Sequence, residues 1–502
     1  MPAPAAPLDA TAAAGDHARW YAALVARDAR FDGRFYVGVV STGVYCRPVC
    51  RVRTPLSRNC RFFRHAALAE AAGFRPCLRC RPELAPGLSM VDSPKTLAAQ
   101  AARLIEAAAA DGRGLRLPEI AARLGVTDRH LRRIFGEAFG ISPLAFLQTR
   151  RLLQAKQLLA DTSLSVTEVA HASGFSSLRR FNAAFAEHYR LSPSGLRRLR
   201  PPAHPAPVQE GVSVRLGYRP PYDVAGMRRF LAGRAIPEME SVDGDADTLV
   251  LRRTLRVVHD GRVFAGWIEA RFDTARHEVV LQVSAPLVPA LAAVLDRLRH
   301  GLDLDADPSL IDPLLTPLPV PARPGVRVPG AFDGFESAVR VVLGQQVSVA
   351  AARTLARRLL AAFGEPLSTP WPALARLFPS PQVIACADAA AIGRLGIVRQ
   401  RVGALQAMAR AVVDGRLDLQ RSAPLEPTLQ ALRALPGIGE WTAQMIAMRV
   451  LAWPDALPDT DIGVLRALQT RDPAQVRAAA EACRPWRSYA VVRLWQTLED
   501  PR

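Results

Sequence analysis

Apolar positions recur along this chain in two rhythms, and the change between them marks its organisation. Between about residues 92 and 200 they keep a helical period, and the stretch repeats internally. LPEIAARLGVTDRHLRRIFGEAFGISP returns as VTEVAHASGFSSLRRFNAAFAEHYRLSP, with Ser142-Pro143 and Ser192-Pro193 offset by 50 residues. Two copies are too few for a solenoid. From 212 to about 315, β-rich runs (VSVRLGY, TLRVVHDGRVFAGWIEARFD, HEVVLQVSA) alternate with helical stretches such as PYDVAGMRRFLAGR, which predicts an antiparallel sheet backed by helices. From about 330 the pattern is helical almost throughout, beginning with FESAVRVVLGQQVSVAAARTLARRLLAAFG. Proline marks the joints: PPAHPAPVQEG, residues 201–211, has the composition of a stiff linker, and TPLPVPARPGVRVPG, residues 316–330, breaks any period.

Each copy of the repeat carries Ala, three residues, then Gly (Ala121 to Gly125 and Ala170 to Gly174). That spacing suits a tight turn between steeply crossing helices, because Ala permits close approach and Gly a positive φ. Thr127 or Asp128, and Ser176 or Ser177, are available as N-caps of a second helix, the one expected to lie in a DNA major groove. The doubled pattern resembles the AraC-type helix-turn-helix domain, more strongly in its second copy. Candidates for base or phosphate contact are Arg129, Arg132, Arg133, Ser177, Arg179, Arg180 and Asn182. The plainer reading, arginines solvating an exposed helix face, stays open for each of them.

Composition agrees with an intracellular nucleic-acid protein of several modules. At 502 residues and 49% hydrophobic content, the chain is long enough for three or four well-cored domains. A formal charge of +19 predicts salt-sensitive attraction to a phosphate backbone. Arginine outnumbers lysine, which GC-rich codon usage explains as readily as selection for phosphate forks. The Ala/Pro-rich start, residues 1–14, lacks the regions of a signal peptide and reads as a disordered tail. No run of 18 apolar residues is free of charge, so no membrane span is expected.

Four of the seven cysteines are paired in sequence: Cys46 and Cys50 in CRPVC and, after 26 residues, Cys77 and Cys80 in CLRC. Two close-spaced pairs let a short chain reach all four corners of a tetrahedral zinc. Buried or disulfide-paired cysteines are the alternative, disfavoured because nothing marks the chain for secretion. Cys60 has no partner at ligand spacing and reads as a small core residue. The flanks DGRFYVGVVSTGVYCRPVCRVR and FRHAALAEAAGFRPCLRCRP resemble the amino-terminal domain of the Ada alkylation-response proteins over about residues 15 to 85. The resemblance implies one zinc on Cys46, Cys50, Cys77 and Cys80, with Cys46 accepting a methyl group from a methylated DNA phosphate. A metal-held thiolate stays deprotonated at neutral pH yet keeps lone pairs for attack on carbon. Methylation would reduce the local charge from about minus two to about minus one, favouring a polyanion, and a thioether has no easy route back.

Near the carboxyl end, LRALPGIGEWTAQMIAMRVL reads as helix, Pro-Gly-Ile-Gly hairpin, helix. Gly437 and Gly439 let backbone N–H groups and a helix N-terminus face one DNA phosphate, with Thr442 adding a hydroxyl donor. The hairpin is followed by LPDTDIGVLRAL and WRSYAVVRLW, an order that resembles the helix-hairpin-helix DNA glycosylases of AlkA type over about residues 212 to 500. The resemblance implies Asp461 as catalytic carboxylate and Trp441 and Trp495 as pocket walls. An Asp at a helix start is also a common N-cap, and Asp459 is a rival for the role. Two positions depart from the familiar pattern: Gln346 stands where an apolar wedge fills the gap left by a flipped base, and Met445 where an aromatic is usual. Cys386 and Cys483 lack the spacing for an Fe–S cluster, and neither sits in a Pro-Cys-His-Arg context, which argues against a second methyltransferase.

The expected fold class is therefore multidomain and mainly α: a disordered tail 1–14, a small zinc-bound α/β domain 15–90, a helical double helix-turn-helix domain 91–200, the linker 201–211, an α+β antiparallel-sheet domain 212–325, and an all-α helix-hairpin-helix domain 326–502. The resemblances imply hydrolytic excision of alkylated purines such as 3-methyladenine, combined with stoichiometric methyl transfer that switches on transcription. Zinc is the implied cofactor. Double-stranded, alkylated and promoter DNA and RNA polymerase are the implied partners of a monomer in the bacterial cytoplasm, at the nucleoid. The alternative is a methylation-sensing activator whose carboxyl-terminal half is a non-catalytic DNA clamp.

Overall fold

The computed structural model describes residues 14–85, 98, 101–102, 104–106, 117–124, 126–162, 164–199, 211–245, 247–259 and 261–499. The expected tail up to residue 13, residues 201–210 of the expected linker 201–211, and Gly125 lie outside them; Gly211, the linker's last residue, belongs to a strand. The chain forms two compact units, one reaching from the amino terminus to Pro220 with Val288–Ala293, the other comprising Pro221–Leu287 and Val294–Arg502.

The first unit begins with a four-stranded sheet of β1 (Tyr36–Val39), β2 (Val44–Cys46), β3 (Cys60–Phe63) and β4 (Arg75–Pro76), in the order β3-β1-β2-β4. β1 is antiparallel to β2 and β3, whereas β2 and β4 are parallel. Every residue of β1 is buried because alternate side chains enter two different cores. Phe35 and Val37 join Trp20 and Phe62 on the cysteine side, with the Trp20 and Phe35 rings stacked at 5.3 Å. Tyr36 joins Tyr45, Phe63 and Phe74 on the other, where Leu153 of the following helical region closes the cluster. Gly38 is required there, since a Cβ would lie 2.8 Å from the Phe63 ring.

The helical repeat forms as its local signals dictate. Helices Leu117–Arg123 and Asp128–Phe139 make the first pair, Val166–Ala172 and Leu178–Tyr189 the second, and the long helix Pro143–Asp161 joins them. Thr127 and Ser177 are the N-caps that form, accepting from the His130 and Arg180 amides. Gly174 takes a φ of +77°, as its turn requires. A further strand, β5 (Gly211–Gly217), ends this unit, and Gln157 donates to its Arg215 carbonyl at 2.5 Å.

In the second unit β6 (Glu240–Asp243), β7 (Val250–His259), β8 (Arg262–Asp273) and β9 (Glu278–Ser284) form an antiparallel meander. The expected helical half follows from Gly334. Its first predicted run splits into Gly334–Leu343 and Val349–Phe363, with GQQVS as the turn between them. A two-residue ribbon, β10 (Glu365–Pro366) with β11 (Arg376–Leu377), interrupts the helices. Helix Gly334–Leu343 is locked to the sheet by buried charges: Arg253 pairs with Glu336 at 2.6 Å, and Arg340 with Glu240 at 2.6 Å and Glu336 at 2.9 Å. Each carboxylate meets two guanidinium groups, Glu240 also lying 3.5 Å from Arg253, so none of these four charges is left unpaired. The hairpin helices Leu425–Arg433 and Glu440–Arg449, then Ile462–Ala467 and Arg487–Glu499, complete the unit.

Candidate metal centre and candidate active site

β2 ends on Cys46, the following turn delivers Cys50, and the turn after β4 delivers Cys77 and Cys80. The four Sγ atoms all lie within 4.8 Å of one another, and none is in a disulfide. This donor set fits zinc. Without a cation the thiols cannot all ionise: hydrogen bonds from the others, Cys46 first, pull Cys77 far down, while burial pushes Cys80 up. Cys60 stays outside the cluster, with its thiol donating to the Leu56 carbonyl and pushed up to about 11 by burial, as a core residue should be.

The four sulfurs are not equivalent. The Arg47 amide donates to Cys80 Sγ and the Arg79 amide to Cys77 Sγ, both at 3.4 Å, and hydrogen bonds, from Cys46 first and from the Val52 backbone least, pull the Cys50 thiol down. Among the described residues no backbone N–H is directed at Cys46. Exposure ranks them differently, since Cys80 is half-buried whereas Cys46 is only 5% exposed. Arg47 braces the site from within, its guanidinium paired with buried Asp32 and donating to the Cys80 carbonyl at 3.1 Å.

Residues flanking the cysteines are tied to helix Pro143–Asp161 by two buried carboxylates that spacing alone did not reveal. Glu83 pairs with Lys156 and Arg81, Lys156 also donates to the Cys77 carbonyl at 3.3 Å, and Arg81 reaches Asp161 at 2.5 Å. Glu70 accepts from Tyr45 at 2.9 Å and Thr149 at 2.8 Å, with His188 at 3.5 Å. Burial pushes the Glu70 carboxyl up to about 7, against the pull of Thr149, Tyr45 and Lys156. The native state therefore holds that proton more tightly than the unfolded chain. Its stabilising contribution is full below the ordinary carboxylate range and is lost as pH rises to about 7. Between pH 5.5 and 7.5, wild-type protein should lose about 2 kcal/mol that Glu70→Gln does not, by urea unfolding of this unit. Parallel pH profiles for the two proteins would show that Glu70 ionises freely.

On the reading helices, Arg129, Arg179, Arg180 and Asn182 are exposed, and the three arginines make no ion pair among the described residues. Arg132 and Arg133 are exposed but engaged, with Asp128 at 3.0 Å and Glu137 at 2.7 Å, so the second copy offers the freer cations. Ser177 is committed to its cap.

In the second unit the residues singled out from sequence converge. Asp461 is buried at the N-cap of helix Ile462–Ala467. Its Oδ1 accepts from the Val464 amide at 3.0 Å and from Trp495 Nε1 at 2.8 Å; its Oδ2 accepts from Trp441 Nε1 at 3.0 Å. Gly463 permits this approach, because a Cβ there would lie 2.9 Å from the Trp495 ring. The rival Asp459 pairs instead with Arg477. Trp495 also stacks against Phe230, with centroids 6.3 Å apart and planes 20° from parallel. Met445 is buried on the helix that carries Trp441.

The hairpin glycines divide their work. Gly437 turns with a φ of +76°, while Gly439 is an N-cap whose Cα faces open space and whose helix start carries no side-chain cap. Those first-turn amides remain available to an anion. Thr442 is 2% exposed, and its hydroxyl accepts from Gln345 Nε2 at 2.9 Å. Gln345 also donates to the Gly437 carbonyl at 2.9 Å, fastening the GQQVS turn to the hairpin. Sequence gave no sign of this clamp. Beside it Gln346 stands exposed at the tip of the turn with a φ of +54°.

Four family models match the chain: the metal binding domain of Ada over residues 19–83, a helix-turn-helix domain over 120–199, the AlkA N-terminal domain over 213–333, and the HhH-GPD superfamily base excision DNA repair protein over 339–482. The metal-domain match and the four-thiol cluster together assign one zinc to Cys46, Cys50, Cys77 and Cys80. The probable bifunctional transcriptional activator/DNA repair enzyme AlkA of Mycobacterium tuberculosis is 40% identical over 498 residues, covering 97% of each chain. DNA-3-methyladenine glycosylase 2 of Escherichia coli is 37% identical over 282 residues, 56% of this chain and 96% of that protein. The bifunctional transcriptional activator/DNA repair enzyme Ada of Escherichia coli is 36% identical over 157 residues, 31% of this chain and 42% of that protein.

Proposed function

This chain belongs to the family of bifunctional transcriptional activator/DNA repair enzymes of AlkA type, with a DNA glycosylase domain and regulatory DNA-binding domains, and from that premise we propose how its two units act on alkylated DNA. The second unit excises alkylated purines such as 3-methyladenine by hydrolysis. The observation that carries this reading is the Asp461 carboxylate, buried and held by two indole N–H groups. An alkylpurine must leave the stack to be reached, and its sugar becomes cation-like as the base departs. A carboxylate fixed at that point stabilises the developing charge and orients or deprotonates the attacking water. Indole faces favour a cationic alkylated ring by stacking. The open amides at Gly439 suit a backbone phosphate. Release of free 3-methyladenine from methylated duplex DNA by purified protein tests the reading; no release would leave the clamp alternative.

The first unit accepts a methyl group on Cys46 and thereby switches DNA binding and transcription. Bound zinc supplies the charge that keeps the four thiolates deprotonated. Cys46 Sγ attacks the methyl carbon of a methylphosphotriester, the S–C bond forms as the C–O bond breaks, and the phosphodiester leaves with the electron pair. Cys46 is supported as acceptor because donated hydrogen bonds reduce a thiolate's nucleophilicity, and Cys77 and Cys80 carry them. Loss of one negative charge then strengthens binding through the free arginines of the second reading helix, at promoter DNA and alongside RNA polymerase. Mass spectrometry after incubation with methylphosphotriester DNA should place one added methyl per chain on Cys46. A methyl on Cys80, of the four the cysteine buried least as a whole residue, would move the role there.

A further inference from the structure

One side chain fastens the GQQVS turn to the glycine hairpin. Gln345, half-buried in the turn between helices Gly334–Leu343 and Val349–Phe363, donates from Nε2 both to the Gly437 carbonyl and to the Thr442 hydroxyl, each at 2.9 Å. Gly437 is the positive-φ residue of the hairpin, and Thr442 lies in the first turn of the helix that opens at Gly439. The backbone of Gln345 is held as well, because the Arg401 guanidinium, from helix Arg399–Val413, donates to its carbonyl. The same helix backs the hairpin: a Cβ on Gly437 would lie 3.0 Å from the Ala404 side chain. Turn, hairpin and helix therefore meet at Gln345, through contacts 56 to 97 residues apart in the chain.

What this junction carries is a strained, open tip. Gln346 takes a φ of +54°, uncommon for a residue with a side chain, and such strain persists only where the surrounding structure imposes it. Gln346 is exposed together with Val347, Ser348 and Val349. The tip is one residue from Gln345, and the open amides begin two residues from Gly437, so a duplex gripped through those amides lies beside the tip. Extruding a nucleotide leaves a gap in the stack, and side chains inserted between base steps fill such gaps.

We propose that Gln345 is a positioning residue for base excision: its two N–H bonds keep the Gln346 turn in register with the hairpin, so that grip on a backbone phosphate sets the tip into the gap left by the extruded base. The proposal rests on the reading of this unit as an excision enzyme whose hairpin holds a phosphate. Gln345 acts through Gln346 and not on the base itself.

The test uses full-length protein and a duplex carrying a tetrahydrofuran abasic site with 2-aminopurine opposite it, a base whose fluorescence reports changes in stacking. Gln346→Gly keeps the left-handed turn, removes the inserted side chain and sets the signal of an unfilled gap. Gln345→Met keeps length and volume and removes both N–H donors. It should still bind the duplex, yet give the fluorescence of Gln346→Gly. At saturating protein it should release 3-methyladenine about five- to tenfold more slowly, the worth of one neutral hydrogen bond. Thr442→Val, which takes away one of the two acceptors, should fall between wild type and Gln345→Met, and it replaces Gln345→Met if that variant does not fold. Wild-type fluorescence in the variant overturns the proposal. So does loss of duplex binding along with the signal, which would make Gln345 part of the grip alone. Wild-type protein that releases the base without changing the fluorescence removes the proposal and leaves excision standing; wild-type protein that releases no base removes excision and the proposal with it.

Discussion

Replacing Asp461 with asparagine lowers single-turnover release of 3-methyladenine by about two to three orders of magnitude, the loss of about 3 to 4 kcal/mol of transition-state stabilisation. The charge is what the substitution removes; the shape is kept. One oxygen of asparagine still accepts from the Val464 amide and from Trp495 Nε1. The amide nitrogen, however, takes the place of Oδ2 and faces Trp441 Nε1, a donor that then has no acceptor. Folding should therefore weaken by about 1 to 3 kcal/mol, an unpaired buried donor's cost, which urea unfolding will register. Activity falls much further than that stability change explains. Asp459→Asn is the control: it breaks a half-exposed ion pair with Arg477, worth at most about 1 kcal/mol, and should leave release within severalfold of wild type. Near-wild-type release by Asp461→Asn would remove this carboxylate from the chemistry.

Stripping zinc, by a strong chelator or by Cys77→Ser, unfolds the amino-terminal module. Three of the ligands, Cys46, Cys50 and Cys77, are themselves part of the core that holds Trp20, Phe35 and Phe62. A structural zinc contributes about 10 to 16 kcal/mol of apparent binding energy, whereas a module of this size rarely has more than about 3 to 5 kcal/mol from its apolar core. The metal's share exceeds the margin, so its loss cannot be absorbed. Hydrogen exchange should show the amides of β1 and β3 losing protection as one equivalent of zinc is released. Full protection in the metal-free protein would mean that the aromatic core holds the sheet alone.

Much of this architecture is local, and local features were readable. Cysteine spacing, the Ser and Thr caps and the glycine turn of the second repeat copy depend on contacts a few residues apart, so neighbouring residue types suffice to specify them. The β-rich runs between 212 and about 315 foretold an antiparallel sheet, and β6 to β9 form one, for the same reason. The contact of Thr442 with Gln345 was not readable, because a hydroxyl next to a hairpin has the same local signature whichever neighbour it meets.

Sequence by itself determined which residue types stand at which spacing: four cysteines that can share a metal, two helix pairs that can enter a groove, and a hairpin followed by two aspartates. Tertiary structure decided between neighbours that spacing cannot tell apart. Asp459 and Asp461 are two residues apart on one short segment, yet one turns to Arg477 and the other to indoles 20 and 34 residues away. Glu70 and Glu83 become junctions only because helix Pro143–Asp161 brings Thr149 and Lys156 to them, 79 and 73 residues along the chain. Gln496 has its amide nitrogen engaged only because the fold brings Asp223 to it from 273 residues earlier. A buried polar group's chemistry is set by the partners it finds once water is excluded, and those partners are chosen by the fold.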